Sequence, residues 1–172
     1  MTPGEQVVVV GVGNVIHSDD GAGIHALRKL EHDARLPDGV LLVDGGTRGI
    51  DLLACLHHAS HLLLLDAVDA GEPAGSLVRL EKGDLFKLRG AASVHQLGIA
   101  DLLTALSLVS SRFPETVLLG LQSASTDWGT ELTPTVDAAL DELIDAAIQQ
   151  LMYWSGGESS DSKVQSCPCS TK

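Results

Sequence analysis

Acidic side chains that could do chemistry follow three apolar runs of this chain. The runs are residues 7–10, 40–43 and 62–65, and the acids behind them are Asp19 with Asp20, Asp44, and Asp66. A carboxylate can act as a general base, and it can also bind a divalent metal. We therefore expect acid–base or metal chemistry at these positions.

An imidazole joins this candidate set. His95 lies near the start of a helical pattern at residues 93–109. Asp20, Asp66 and His95 together offer two carboxylates and one ring nitrogen, leaving the open positions that a catalytic metal site keeps for water or substrate. Such a mixed set accepts Zn²⁺, Ni²⁺ or related divalent ions. The alternative is that Asp66 only ends a strand and that His95 makes only local hydrogen bonds.

The glycine-rich first loop does not match a dinucleotide-binding fingerprint. Ile16 stands where the third glycine would be needed for close packing of helix on strand. Asp19 and Asp20 also precede the predicted helix, and their negative charge opposes the binding of a phosphate at the positive helix N-terminus. We interpret Asp19 as a cap of the following helix and Asp20 as the functional acid. Gly11 and Gly13 are expected to allow a turn and the close approach of a substrate backbone.

Alternating strand and helix patterns must position these residues. Strands are predicted at residues 6–10, 40–43, 61–65, 75–80 (at an edge) and 116–121, and helices at 21–31, 50–57, 93–109 and 133–152. The predicted fold is α/β: a single three-layer domain whose mostly parallel twisted sheet is flanked by helices on both faces. Because sites in such sheets collect beyond the carboxyl ends of the strands, we expect the acids to meet there.

Composition narrows the function classes. The chain has 172 residues, with 11 basic and 23 acidic side chains and a net charge of −12, which argues against a nucleic-acid partner. No apolar stretch is long enough to span a membrane, and no signal segment is recognisable, so a cytoplasmic location is expected.

Residues 1–154 are predicted to form the domain and residues 155–172 a disordered tail. Cys55 is predicted to be a core residue, and nothing near Cys167 and Cys169 completes a metal site in the tail.

Five segments of the chain match one known family in the same order. They are residues 11–14 with 19–23, 44–47, 65–71, 93–96 and 120–123. Over residues 6–152 the chain resembles the [NiFe]-hydrogenase maturation endopeptidases. These enzymes remove a C-terminal extension from the precursor of the hydrogenase large subunit.

The resemblance implies roles for four residues. Asp20, Asp66 and His95 correspond to the metal-binding set, and Asp44 to an acid that serves substrate recognition or catalysis. The metal is implied to be nickel that the precursor presents, and Zn²⁺ or Cd²⁺ can occupy the same site. Either Asp20 or Asp66 activates the hydrolytic water as a general base, or a metal lowers the pKa of that water toward ~7.

Two other functions are kept as alternatives. A nickel-binding chaperone or checkpoint would sense the loaded precursor without cutting it. A nucleotide-binding module would bind NAD or ATP at the first loop. No membrane partner is expected.

Overall fold

One sheet runs through the part of the chain that the computed structural model describes. That part is residues 6–85 and 94–156, with residues 82, 83 and 94–97 described by their backbone alone. The strands are β1 (Val7–Val12), β2 (Leu41–Gly46), β3 (His61–Val68), β4 (Leu77–Glu81) and β5 (Glu115–Gln122). Their spatial order is β2-β1-β3-β5-β4, and only β4, at the edge, runs antiparallel to its neighbour. The predicted mostly parallel sheet with an antiparallel edge strand is confirmed.

Helices cover both faces of this sheet. They are α1 (Ala22–Leu30), α2 (Leu53–Leu56), α3 (Lys82–Leu85), α4 (Val94–Val109) and α5 (Pro134–Trp154). Side chains of α1 and α5 pack in one apolar cluster, and side chains of α2 and α4 pack in another. The three-layer α/β prediction is therefore confirmed, because helices bury their apolar side chains against each of the two faces of the sheet.

The β-branched run in β1 joins the two clusters. Val7 and Val9 belong to the α1–α5 cluster, whereas Val8 and Val10 belong to the α2–α4 cluster. A strand buried on both faces has no polar position to offer, which explains its continuous apolar sequence. Cys55 is half-buried and packs against the α2–α4 cluster, as a core residue would.

The direction of the connections reverses between β1 and β3. From β1 the chain crosses through α1 to β2 on one side, whereas β3 lies on the other side of β1 and leads toward β5. Such a switch point opens a crevice at the carboxyl ends of the two central strands. The first loop and the end of β3, which carry the predicted acids, both lie at this edge.

Several predicted element boundaries were wrong. β1 and β2, predicted at residues 6–10 and 40–43, continue to Val12 and Gly46, so Asp44 lies within β2 rather than behind it. β3 does not end before Asp66 but continues to Val68, because β5 pairs with it as far as Val68 and Gln122. The predicted helix at 50–57 is a 3-10 helix, Gly49–Leu52, followed by the short α2. A second 3-10 helix, Ser18–Gly21, precedes α1. None of the helices in the described residues is long and apolar enough to cross a bilayer.

Arg35 links the segment after α1 to α5 on the protein surface. Its Nη2 lies 2.7 Å from Asp33 Oδ2, and its Nη1 lies 2.7 Å from Asp145 Oδ1. Hydrogen bonding from the Arg35 side chain and backbone lowers the pKa of Asp33 from 3.8 to about 2.

This lowered pKa predicts a pH-dependent contribution to stability. A carboxyl whose pKa is lower in the folded state stabilises the fold above its unfolded pKa, and that contribution is lost as the pH falls through its folded pKa. We expect Asp33→Asn to be slightly less stable than wild type at neutral pH. The difference should shrink between about pH 4 and pH 2 in urea unfolding series. A difference that does not change over this range would contradict the prediction, and Asp38→Asn, at an exposed position, is the control.

Candidate active site

The first loop folds back onto the carboxyl end of β1. Gly13 has a φ of 130°, and a side chain there would overlap the carbonyl oxygen of Asp20. The Asn14 N–H donates to Asp20 Oδ2 over 3.1 Å, so the carboxylate is held against the loop backbone. The predicted turn at Gly13 is therefore confirmed, and it brings the chain's own loop against the glycine; the approach of a substrate backbone stays a prediction.

Asp66 is a fully buried carboxylate within β3. Its relative exposure is 0%, and it lies level with Gly120 of β5. The Ala67 N–H donates to Asp66 Oδ1 over 2.8 Å. By strand alternation Asp66 shares a face with Leu62 and Leu64, which belong to the α2–α4 cluster. A charge in this position needs partners, so a role beyond ending the strand is favoured.

His95 lies in the first turn of α4, which confirms the predicted helix start. A methyl group placed on Gly49 would lie 3.6 Å from the Cα of Gly98, so the start of α4 packs beside the 3-10 helix that follows β2. His95 thus occupies the same edge and the same face of the sheet as Asp66. Its side chain lies outside the described residues. Among the described side chains, no group of three His, Cys, Asp or Glu could hold a metal, so the set with His95 stays a prediction.

Asp44 lies on the other face of the sheet. It pairs in register with Gly11, which also pairs with Leu65, a member of the α1–α5 cluster. Its side chain is exposed, and its backbone carbonyl accepts a hydrogen bond from the Arg48 guanidinium. The structure therefore brings Asp44 to the predicted edge, but not onto the face that carries Asp66.

Asp19 is a buried acceptor of hydrogen bonds, and its predicted capping role was wrong. Neither the 3-10 helix at Ser18–Gly21 nor α1 has a side-chain cap. Instead, Asp19 Oδ2 accepts from the N–H groups of Ala124 and Ser125 at 2.9 and 3.0 Å and from the Thr133 hydroxyl at 2.9 Å. Its Oδ1 accepts from the Thr133 N–H at 2.7 Å. The carboxylate thereby joins the first loop to residues 123–133, the loop after β5.

Gln122 is a positioning residue that sequence reasoning missed. Its Oε1 accepts from the N–H groups of Ala70 and Glu72 at 2.8 and 3.2 Å, and its Nε2 donates to Asp69 Oδ1 at 3.3 Å. The buried amide thus shapes the loop that follows β3, which ends two residues after Asp66. Its place in the matched segment 120–123, at the end of a predicted strand, is the sequence signal that could have identified it.

A cavity of about 640 Å³ lies at the opposite end of the sheet. Its lining includes Glu115 at the start of β5, Glu81 at the end of antiparallel β4, and Tyr153 near the end of α5. None of the predicted site residues contributes to it. We therefore assign the candidate active site to the carboxyl edge, where the acids lie, rather than to this cavity.

Comparisons with known proteins agree on one family. A sequence model of the hydrogenase maturation proteases matches residues 24–150. The hydrogenase expression/formation protein HupD of Rhodobacter capsulatus is 35% identical over 153 residues, which cover 87% of this chain and 73% of HupD. The hydrogenase 2 maturation protease of Escherichia coli K12 is 34% identical over 149 residues, covering 86% and 88% of the two chains.

A solved structure extends the likeness to three dimensions. The hydrogenase maturating endopeptidase HybD from E. coli superimposes with a TM-score of 0.81 at 32% identity, covering 88% of this chain and 94% of that one. Fold and sequence agree. The chain therefore belongs to the hydrogenase maturation protease family, whose members are endopeptidases that act in hydrogenase maturation.

Proposed function

We propose that this chain cuts the C-terminal extension from the precursor of a [NiFe]-hydrogenase large subunit once nickel has been inserted. The main support is the position of two buried carboxylates, Asp20 and Asp66, at the switch point between β1 and β3. Ligands of α/β sheets bind at such points. The family gives the reaction class, and the two buried carboxylates at this edge support recognition of nickel.

Asp20, Asp66 and His95 would bind the nickel of the precursor. Asp20 and Asp66 each accept a backbone N–H on one carboxylate oxygen, from Asn14 and Ala67 respectively. Hydrogen bonds of this kind orient the carboxylates that ligate metals, so the donor set suits a divalent ion. An imidazole from the first turn of α4 would complete a set of mixed oxygen and nitrogen donors.

Peptide hydrolysis at this edge needs one activated water. In a carboxylate route, Asp20 or Asp66 accepts a proton as the water oxygen bonds to the scissile carbonyl carbon. The proton then passes to the departing amine nitrogen as the C–N bond breaks. Alternatively, a bound divalent metal would lower the pKa of the water to ~7, so that hydroxide is available at neutral pH. In both routes the chain's own task is to hold the peptide beside these carboxylates.

Asp44 would contact the polypeptide rather than the nickel. It is exposed at the same edge, but its side chain lies on the face opposite Asp66. A carboxylate in that position can pair with a basic group or a backbone N–H of the bound precursor. We assign it substrate recognition, the first of the two roles that the family resemblance implies.

Comparing loaded and empty precursor tests the proposal. We expect the purified chain to release the C-terminal peptide from nickel-loaded precursor, and to leave nickel-free precursor intact, as read by mass spectrometry. Equal cleavage of both precursors would contradict nickel recognition. No cleavage of the loaded precursor, with binding retained, would contradict the protease assignment for this chain and favour the checkpoint alternative.

A further inference from the structure

An exposed aromatic ledge lies beside the candidate active site. We define the ledge as Ile16, His17 and Trp128. Ile16 and Trp128 are 45% and 77% exposed, and the rings of His17 and Trp128 lie 4.3 Å apart. Ile16 joins them through the Gly129 N–H, which donates to its carbonyl. Large apolar side chains exposed on neighbouring loops mark sites of protein interaction.

The ledge is held rigidly by backbone hydrogen bonds. The Ser18 N–H donates to the Gly129 carbonyl over 2.8 Å, and the Gly129 N–H donates to the Ile16 carbonyl over 3.1 Å. The His17 Nδ1 lies 3.1 Å from the carbonyl oxygen of Thr126. Beneath them the Asp19 carboxylate ties the same two loops together. These bonds fix the backbone that carries Trp128, so binding need not order the loop, and aromatic side chains on such a backbone are typical of residues that dominate an interface.

The position of the ledge indicates what it contacts. It is built from the loop that carries Asp19 and Asp20 and from residues 123–133, and both loops leave the carboxyl edge of the sheet. A polypeptide that reaches the carboxylates must pass over this edge. The ledge thus lies at the same edge of the sheet as the proposed cleavage site.

The charge around the ledge favours a basic partner. Residues 123–133 contain Asp127 and Glu131, both exposed, and no Lys or Arg. Asp44 and Asp51 are exposed at the same edge of the sheet together with Arg48, which leaves one net negative charge there. Acidic groups around an apolar surface attract a segment in which an apolar side chain stands beside basic ones.

We propose that the ledge is the docking surface for the precursor polypeptide, binding an apolar side chain of a basic segment near the bond to be cut. This inference rests on the proposed function, because it takes the precursor as the partner. Trp128 is then a specificity residue that binds substrate and takes no part in the chemical step.

Trp128→Ala tests the ledge, with Tyr153→Ala as its matched control. Tyr153 is also 77% exposed, but it lies near the end of α5, at the opposite end of the sheet. With nickel-loaded precursor we expect Trp128→Ala to raise KM about tenfold and to leave kcat unchanged, the pattern of lost uniform binding. Tyr153→Ala should match wild type. A wild-type KM for Trp128→Ala would overturn the proposal, as would an equal rise for Tyr153→Ala.

Glu131→Gln tests the charge of the partner in the same assay. We expect its KM to rise about two- to threefold at low salt and to converge with wild type at high salt, since surface charges are screened. Glu142→Gln, at an exposed position of α5, is the control and should show no change. An unaltered KM for Glu131→Gln at low salt would contradict the basic character of the segment.

A binding measurement separates failure of this inference from failure of the proposed function. Surface plasmon resonance of the precursor on immobilised wild-type, Trp128→Ala and Tyr153→Ala chains reports docking without cleavage. If wild type binds the precursor but does not cut it, the protease assignment fails, and a tenfold weaker Kd for Trp128→Ala still supports the ledge. If wild type cuts and all three chains bind equally, the ledge fails and the protease assignment stands.

Discussion

Asp66→Asn is expected to abolish precursor cleavage while the protein stays folded. The substitution removes the negative charge but keeps an Oδ1 that can accept the Ala67 N–H, the hydrogen bond of 2.8 Å in the structure. Loss of a general base costs about 10²- to 10⁴-fold in rate. Loss of a metal ligand would remove recognition of the nickel. We expect no released C-terminal peptide by mass spectrometry over the time in which wild type completes the reaction.

The companion variant His95→Ala should have the same effect. His95 lies in the first turn of α4, and alanine favours the helix, so the element itself should persist. Asp38→Asn and His58→Ala, at exposed positions that precede β2 and β3, are the matched controls and should cut at the wild-type rate. Thermal unfolding of all four variants tests that they are folded. If either site variant processes precursor normally, the assignment of that residue is wrong.

Binding data distinguish the two roles that Asp66 and His95 can have. A variant that has lost a ligand should bind nickel-loaded precursor more weakly than wild type does. A variant that has lost only a general base should bind it normally and fail to cut. The same assay therefore decides, for each residue separately, whether it is a ligand of the nickel or a general base for the water.

Elements with strong periodicity could be predicted from the sequence. The β-branched run of β1, the leucines of β3 and the helical spacing of α5 each mark a face that must be buried, so their type was predicted correctly. Their ends were less certain, because pairing with a neighbour decides where a strand stops. Asp66 read as the end of a strand since it is charged, but β5 continues alongside it.

The candidate acids could be placed at one edge, but not on one face. Parallel strands bring their carboxyl ends together, and that rule was enough to group Asp20, Asp44 and Asp66. The face of each side chain depends on the register between strands, which a single sequence does not specify. Register separates Asp44 from Asp66 and gives the two acids different surroundings.

The partners of Asp19 could not be predicted because they are more than a hundred residues away. Two acids before a helix predict a local cap, which is the commonest role for such residues. Three backbone N–H groups and a hydroxyl from residues 124–133 use the Asp19 carboxylate instead. Nothing near Asp19 in the sequence indicates that the Ser/Thr-rich loop after β5 supplies these donors.

Asp19→Ala is expected to lower the free energy of unfolding by about 3–5 kcal/mol. It would leave the N–H groups of Ala124, Ser125 and Thr133 without their acceptor at a site where Asp19 is fully buried. Hydrogen bonds to a charged group are worth about 1.5–3 kcal/mol each and do not add fully. For a chain of this size the melting temperature should fall by roughly 10 °C.

Asp19→Asn separates the hydrogen-bonding role from a helix cap. Its amide keeps one acceptor oxygen but turns an NH₂ group toward the remaining donors, so we expect a loss between that of Asp19→Ala and that of the exposed control Asp38→Asn. A lost cap costs only about 1 kcal/mol. If urea unfolding shows Asp19→Ala to be destabilised by no more than that, the carboxylate does not hold the two loops together. If the larger loss is found, the loops that carry Asp20 and the ledge depend on one buried charge, and Asp19→Ala should also raise KM for the precursor.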